Sequence, residues 1–397
     1  MGLMENFNQS KRAVNISFIT KIVAITVLLI GFMNIASYSA FATNGSTTSN
    51  TMPVIPGDTP QFMEYEGLTE EMQPWENGMR TNPMPGTFEW WYFQGAFDDG
   101  SHTEITYLVK PWVDNSGPLD PYVGFSLTTP NGTVYRDQIH VSTDKFSAAR
   151  NTVNVTMGNN WVNGDLKTIR LHAESPKGFG ADLVFNSVAP PSRFGGAGLW
   201  YFDRSLTKIS ALMDPMPYAL VRGNLTYDGQ THQINGTGYH DRQWGNINWN
   251  RDIDSWYWST GHYGNYTIDI GLQVTSEDYD HQIISSMYLA NGSQVVYDVM
   301  KGVTAQTSGE NITDPSGAHT YPEVLNLHWQ NSTDTVNLAL TNPEIVQAGS
   351  SVVRTNATIV GTPEYLRLSG NGTLNVNIDG NNETASTPAV WEVQYGH

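Results

Sequence analysis

The sequence predicts an all-β protein, built as two similar antiparallel barrels in tandem. Three observations carry this. From Phe88 onward the chain falls into short runs with period-2 alternation, separated by turn dipeptides. No stretch holds a helical period of apolar residues. An internal repeat pairs Trp90-Trp91-Tyr92-Phe93-Gln94-Gly95-Ala96-Phe97 with Trp256-Tyr257-Trp258-Ser259-Thr260-Gly261-His262-Tyr263 at an offset of 166 residues. Each copy reads three aromatics, two residues, glycine, one residue and an aromatic, and the offset is the size of one ligand-holding barrel.

Residues 1–42 contain Lys11, Arg12 and Lys21, an apolar run from Ile22 to Ala36, and Ser39-Ala40-Phe41-Ala42. That order of basic region, short apolar core and small-x-small site predicts an export signal, with a retained anchor as the alternative. Residues 43–85 carry Pro53, Pro56, Pro60, Pro74, Pro83 and Pro85. They read as a linker or extended arm with one short helix around Glu66 to Trp75 and little chemistry.

Residues 86–246 form the first predicted barrel and residues 247–397 the second. Strands are expected over Thr103–Val109, Tyr122–Thr128, Thr168–Ala173 and Ala181–Asn186 in the first, and over Tyr266–Thr275, Gln282–Ala290, Val324–Gln330 and Ala389–Gln394 in the second. Asp98-Asp99-Gly100 and Pro130-Asn131-Gly132 mark turns between them.

Composition removes several classes of function. A net charge of −18 argues against nucleic acid and acidic membrane surfaces, since binding to phosphates rests on Lys and Arg. With no cysteine, disulfides, thiolate nucleophiles and Cys-ligated zinc are excluded. His240, His262 and His281 are scattered without metal-ligand spacing, so no metal is expected. Neither a nucleophile elbow nor a phosphate-cradling loop is present. After the export segment, twelve Asn-x-Ser/Thr sequons run from Asn44 to Asn382, consistent with a secreted or cell-surface glycoprotein.

The densest chemistry lies in Gly238-Tyr239-His240-Asp241-Arg242-Gln243-Trp244-Gly245-Asn246, read as a strand running into a turn. Alternation puts Tyr239, Asp241 and Gln243 on one face and His240 and Arg242 on the other. Either Asp241 has Tyr239 and Gln243 beside it, or a distorted turn lets His240 or Arg242 pair with it and hold it ionised. Glu89 precedes the first aromatic strand, where Trp rings would strip its hydration and favour the acid form. The candidate catalytic residues are therefore Asp241, Tyr239 and Glu89. Trp90, Tyr92, Gln243, Trp256 and Trp258 are the candidate ligand contacts, one face of each aromatic strand looking into its barrel and the other outward.

Glu89-Trp90-Trp91-Tyr92-Phe93, Gly238 to Gly245 and Trp256-Tyr257-Trp258 together resemble the AttH-type, lipocalin-like family, which includes carotenoid 1,2-hydratase (hydroxyneurosporene synthase) and fungal Diels–Alderases. The resemblance runs from about Pro85 to the C-terminus and implies two lipocalin-like barrels. It further implies an apolar isoprenoid or polyene ligand, chemistry without a redox cofactor, and Asp241 as proton donor. Arg242 and Gln243 depart from the His and Asn frequent at those positions. The function expected is an exported, cofactor-independent hydro-lyase or a related isomerase or cyclase. The alternative is a non-catalytic ligand-binding or cell-surface module, including a carbohydrate-binding one. Membrane contact is expected only through the N-terminus, and the oligomeric state is not legible.

Overall fold

The computed structural model describes residues 52–111, 115–314, 319–350, 353–355, 358–361 and 364–395. The predicted export segment, residues 1–42, lies outside the described residues. Residues from Thr51 onward form one compact unit.

Two large antiparallel sheets, of 13 and 9 strands, make up this unit. In each, the aromatic-repeat strand has the same place. Phe88–Phe97 pairs with the strand that follows it, His102–Leu108, and with Gln230–Gly245, the last strand of the first sheet. Ile253–Tyr263 pairs likewise with Tyr266–Thr275 and with Asn381–Tyr395, the last strand of the second. The repeated glycine also serves one purpose in both copies. A Cβ on Gly95 would stand 2.6 Å from the Phe97 ring, and one on Gly261 would stand 2.8 Å from the Tyr263 ring, so each glycine admits the aromatic two residues on.

First-to-last pairing winds each sheet round its own core, but neither ladder closes among the described residues. The first ends at Val134–His140 and Phe146–Ala148, and the second at Gln294–Val299 and Thr304–Thr313, in both cases strands consecutive in the chain. The expected closed barrels are instead sheets left open at one seam. The first is strongly curled: Tyr107 Oη reaches across it to Trp161 O at 2.9 Å and His172 O at 2.8 Å.

Side chains fill both interiors. Trp91, Phe93, Phe125, Phe179 and Phe185 occupy the first, and Tyr263, Leu327, Leu338, Trp391 and Val393 the second. A third apolar cluster, with Phe88, Trp200, Trp249 and Trp256, draws on both sheets. The chain passes from one sheet to the other through the short helix Trp249–Asp252.

The Pro-rich arm is a packed part of the fold rather than a linker. Ile55–Pro56 pairs with Trp200 and Tyr201, and the Phe62 ring stacks on Tyr201 at 5.0 Å. Its helical turns are Pro60–Tyr65 and Pro74–Asn77, not the expected Glu66 to Trp75, because each starts at a proline whose missing N–H a first turn does not need. Gly67, at φ 69°, ends the first of them.

Candidate active site

The nine-residue motif is the end of a strand, as expected: Gln230–Gly245 runs through its first eight residues and Asn246 turns the chain away. Both faces of this strand end are covered, one by the arm and the first core and the other by the second sheet. The hairpin turn Asp228-Gly229, both at positive φ, fixes its register on Ile209–Tyr227. On its other side the ladder sets Tyr239 opposite Gln94, His240 opposite Phe93, Asp241 opposite Tyr92, Arg242 opposite Trp91 and Gln243 opposite Trp90.

One face of this pair is a completed ion pair. Arg242 is fully buried and donates to the Glu89 carboxylate and to the carbonyls of Glu76 and Gly78, with its guanidinium over the Trp91 and Trp244 rings at 5.0 and 4.8 Å. Burial pulls it down to about 10, so it stays charged at neutral pH. Glu89 also accepts from Arg80 N at 2.7 Å, Thr81 N at 2.8 Å and Thr81 Oγ1 at 2.7 Å, all from the arm. His240 stacks on Phe93 at 4.1 Å with Nδ1 2.9 Å from Tyr92 O. Burial drives it down to about 3, so it is neutral. The expected acid role of Glu89 does not fit this placement: it faces the arm, holds a counter-ion and does not border the cavity described next.

The other face looks across to the second sheet and borders a cavity of about 850 Å³, within the range of small-molecule sites. Trp90, Tyr92, Asp241, Gln243, Trp256 and Trp258 all line it. The structure thus brings together every expected ligand contact with Asp241, but between the sheets and inside neither. Trp249 links the two aromatic strands, its ring 6.1 Å from Trp90 and 5.6 Å from Trp256. The polar part of the wall is an inter-sheet clasp. Arg367 from the second sheet donates to Glu104 at 2.9 Å and Gln94 at 2.8 Å on the first, and to Glu392 at 2.8 Å on its own.

Asp241 is 5 % exposed, and its Oδ1 has no hydrogen-bond partner. Burial, then the neighbouring Asp269 and Glu392 carboxyls, push it well above the usual carboxylate range, against the pull of Tyr239 and Trp90 beside it. Tyr239 does not border the cavity. Its Oη lies 2.9 Å from Asp214 Oδ1 and 2.9 Å from Asp269 Oδ2, and Trp258 Nε1 donates to Asp269 at 3.0 and 3.1 Å. Burial raises Asp214 strongly and Asp269 to about 7. Asp214 reaches this spot because Pro215 and Pro217 break the ladder into bulges on either side of Met216.

Asp214, Asp269, Arg367 and Glu392 were not anticipated. Each is a lone charge between apolar neighbours, as in Ile268-Asp269-Ile270 and Trp391-Glu392-Val393, a pattern that marks a strand buried on both faces. A neutral carboxylic acid among indole rings on a cavity wall can deliver a proton to an apolar ligand and stabilise the cation that forms. Among the described residues no His, Cys, Asp and Glu cluster is arranged to hold a metal ion.

The fold has known counterparts. CghA, solved with Sch210972, superposes with a TM-score of 0.57 at 13% identity, covering 87% of this chain and 98% of that one. AttH from Nitrosomonas europaea gives 0.58 at 15% identity over 87% and 99%. Kievitone hydratase from Nectria haematococca gives 0.52 at 16% over 88% and 96%. In sequence, the quinolone epoxide rearrangement protein asqO of Emericella nidulans is 24% identical over 205 residues, 46% of this chain and 53% of that protein, so the chain spans about half the length of this curated relative. Residues 84–314, more than half of the chain, match the Diels-Alderase-like family, and the chain belongs to it.

Proposed function

We propose that the inter-sheet cavity binds an apolar small molecule of isoprenoid or polyene type and that Asp241 protonates it, the reaction being a cofactor-independent hydration. The buried Asp241 carboxyl, with an unpartnered Oδ1 on an indole-lined wall, is the observation that carries this reading. Proton transfer from Asp241 to a terminal alkene forms a C–H bond and leaves a tertiary cation, which facing indole rings stabilise by about 0.5–2 kcal/mol each. Gln243, on the same wall, holds the water that captures the cation, and the proton released by that water returns to Asp241. Tyr239 is engaged by Asp214 and Asp269 and stays behind Asp241. A positioned acid contributes roughly 10²–10⁴-fold, the remainder coming from orientation of the chain.

The test is incubation of the protein with a panel of acyclic isoprenoids and polyenes, read by mass spectrometry. Wild type should add one water, and Asp241→Asn should lower turnover by roughly 10²–10⁴-fold while binding stays within a few fold. A product of unchanged mass but altered retention would make the protein an isomerase or cyclase using the same acid. Ligand recovered unchanged would make it a carrier. Equal turnover in Asp241→Asn removes Asp241 from the chemistry.

We further propose that the chain is exported and carries N-linked glycans, with residues 1–42 as signal or anchor. In support, every sequon asparagine among the described residues, from Asn131 to Asn382, is exposed, whereas Asn77, Asn115, Asn160 and Asn250, outside sequons, are buried. None of the described sequon asparagines borders the inter-sheet cavity. Intact mass of the protein from its native source before and after enzymatic deglycosylation tests this, and an unchanged mass contradicts it.

A further inference from the structure

Three aspartates, Asp214, Asp241 and Asp269, converge on Tyr239 from both sheets, and among the described residues none of them forms an ion pair with Lys, Arg or His. Three buried carboxylates without a counter-ion cannot all be charged. The hydrogen-bond geometry says where the protons are. A phenol has one proton, so Tyr239 Oη, 2.9 Å from both Asp214 and Asp269, donates to one of them and accepts from the other. Trp258 Nε1 can only donate, and it is directed at both oxygens of Asp269. Asp269 is therefore the carboxylate that takes the Tyr239 proton. Asp214, whose Oδ2 is buried with no partner, is the acid that donates to Tyr239.

The nearby groups preserve this order. Asp298 receives Ser192 Oγ at 2.8 Å and Gly195 N at 3.0 Å, so it is a carboxylate in its own right. Glu392 is held by Arg367 and Tyr365. Tyr288 donates to Pro190 O. Asp241 stands two residues from Tyr239 on the same face, with an unpartnered Oδ1 on the cavity wall, no cation beside it and only the neutral donors Tyr239 and Trp90 to set against the Asp269 charge.

We propose that Asp214, Tyr239 and Asp269 are positioning residues that keep Asp241 in its acid form: the three aspartates act as one unit holding two protons, with the single negative charge fixed on Asp269 by Trp258. The inference rests on the reading of Asp241 as proton donor, and it adds the residues that set its protonation state. It also explains why the second sheet is needed. Asp269 and Trp258 belong to that sheet, while Asp214, Tyr239 and Asp241 belong to the first, so the acid is complete only when the two are packed together.

Carboxyl-¹³C NMR of aspartate-labelled protein, assigned through Asp→Asn variants, tests this without a substrate. In wild type at pH 8, Asp214 and Asp241 should be protonated and Asp269 ionised. Asp269→Asn, which removes the neighbouring charge, should lower the Asp241 midpoint by roughly one pH unit or more. Tyr239→Phe should end the shared titration of Asp214 and Asp269. Trp258→Phe keeps the carboxyls and removes the fixing donor, and should raise the Asp269 midpoint, which gives a reading even where Asp269→Asn does not fold. An Asp241 midpoint unmoved by Asp269→Asn, or Asp214 ionised at pH 8, overturns the proposal while leaving Asp241 as donor. Asp241 itself ionised at neutral pH overturns both readings.

Discussion

Two faces of one strand treat buried charge in opposite ways. On the face toward the arm, Arg242 meets Glu89, and the carboxylate gathers three further donors from Arg80 and Thr81. On the face toward the second sheet, one residue away in sequence, Asp241 is equally buried and faces only carboxyls, a phenol and an indole. The first arrangement fixes charges, and the second forbids them. Only the second opens on a cavity. Burial of an ionisable group therefore does not by itself mark chemistry here, but burial without a counter-ion does.

Removing one partner on each face should show the contrast at its largest. Arg242→Met strands the Glu89 charge and is expected to cost about 3–5 kcal/mol in chemical denaturation, whereas Asp241→Asn should change stability by less than about 1 kcal/mol. Equal losses would erase the distinction.

The carboxyl side should also respond to pH with a defined sign. Asp269, raised to about 7, and Asp298, raised to about 6, are neutral in the folded chain over a range where they are already ionised in the unfolded one. Their contribution is fully present below about pH 4 and is lost as pH rises through about 6 and 7. Asp269→Asn should therefore match wild type in melting temperature at pH 4 and exceed it at pH 8, by on the order of 1 kcal/mol in stability. A gap that widens toward acid would contradict the assignment.

Within the cavity, Trp256→Leu keeps an apolar wall and removes a ring face. It should weaken a cationic mimic of the intermediate about 2- to 30-fold in isothermal titration, and a neutral isoprenoid much less. The smallest effect belongs to a pair with a partner but no burial. Arg251 and Asp278, 3.2 Å apart with side chains 71 % and 59 % exposed, should be worth less than about 1 kcal/mol, and Arg251→Ala should lose even that at high salt.

Much of the fold was legible because its strands have one wet face or one filled interior. Tyr122–Thr128 and Tyr266–Thr275 run over the predicted residues, and the aromatic repeat marks the strand that each sheet pairs with its last. Reading failed where two bodies meet. Gly238 to Gly245 has polar residues on both faces, and the partners of His240 and Arg242 come from the arm and the neighbouring strand. The arm's prolines suggested a linker because much of its packing, such as Phe62 on Tyr201 and Asn77 on His240, is to residues more than a hundred positions away. Alternation along its own strand placed Asp241 on the face of Tyr239 and Gln243. Asp269 and Arg367 could not be attached to it, because nothing local says that the outward face of one sheet lies against the outward face of the other.

The central claim is that the ligand sits between the sheets, against Asp241, and not within either sheet's own interior. A crystal structure of the protein with a bound acyclic isoprenoid tests this most directly. The account predicts a chain lying between the Trp90 and Trp256 rings, with a terminal double bond within hydrogen-bonding reach of the Asp241 carboxyl. Ligand lodged among Phe93, Phe179 and Phe185 inside the first sheet, or bound far from Asp241, would contradict it.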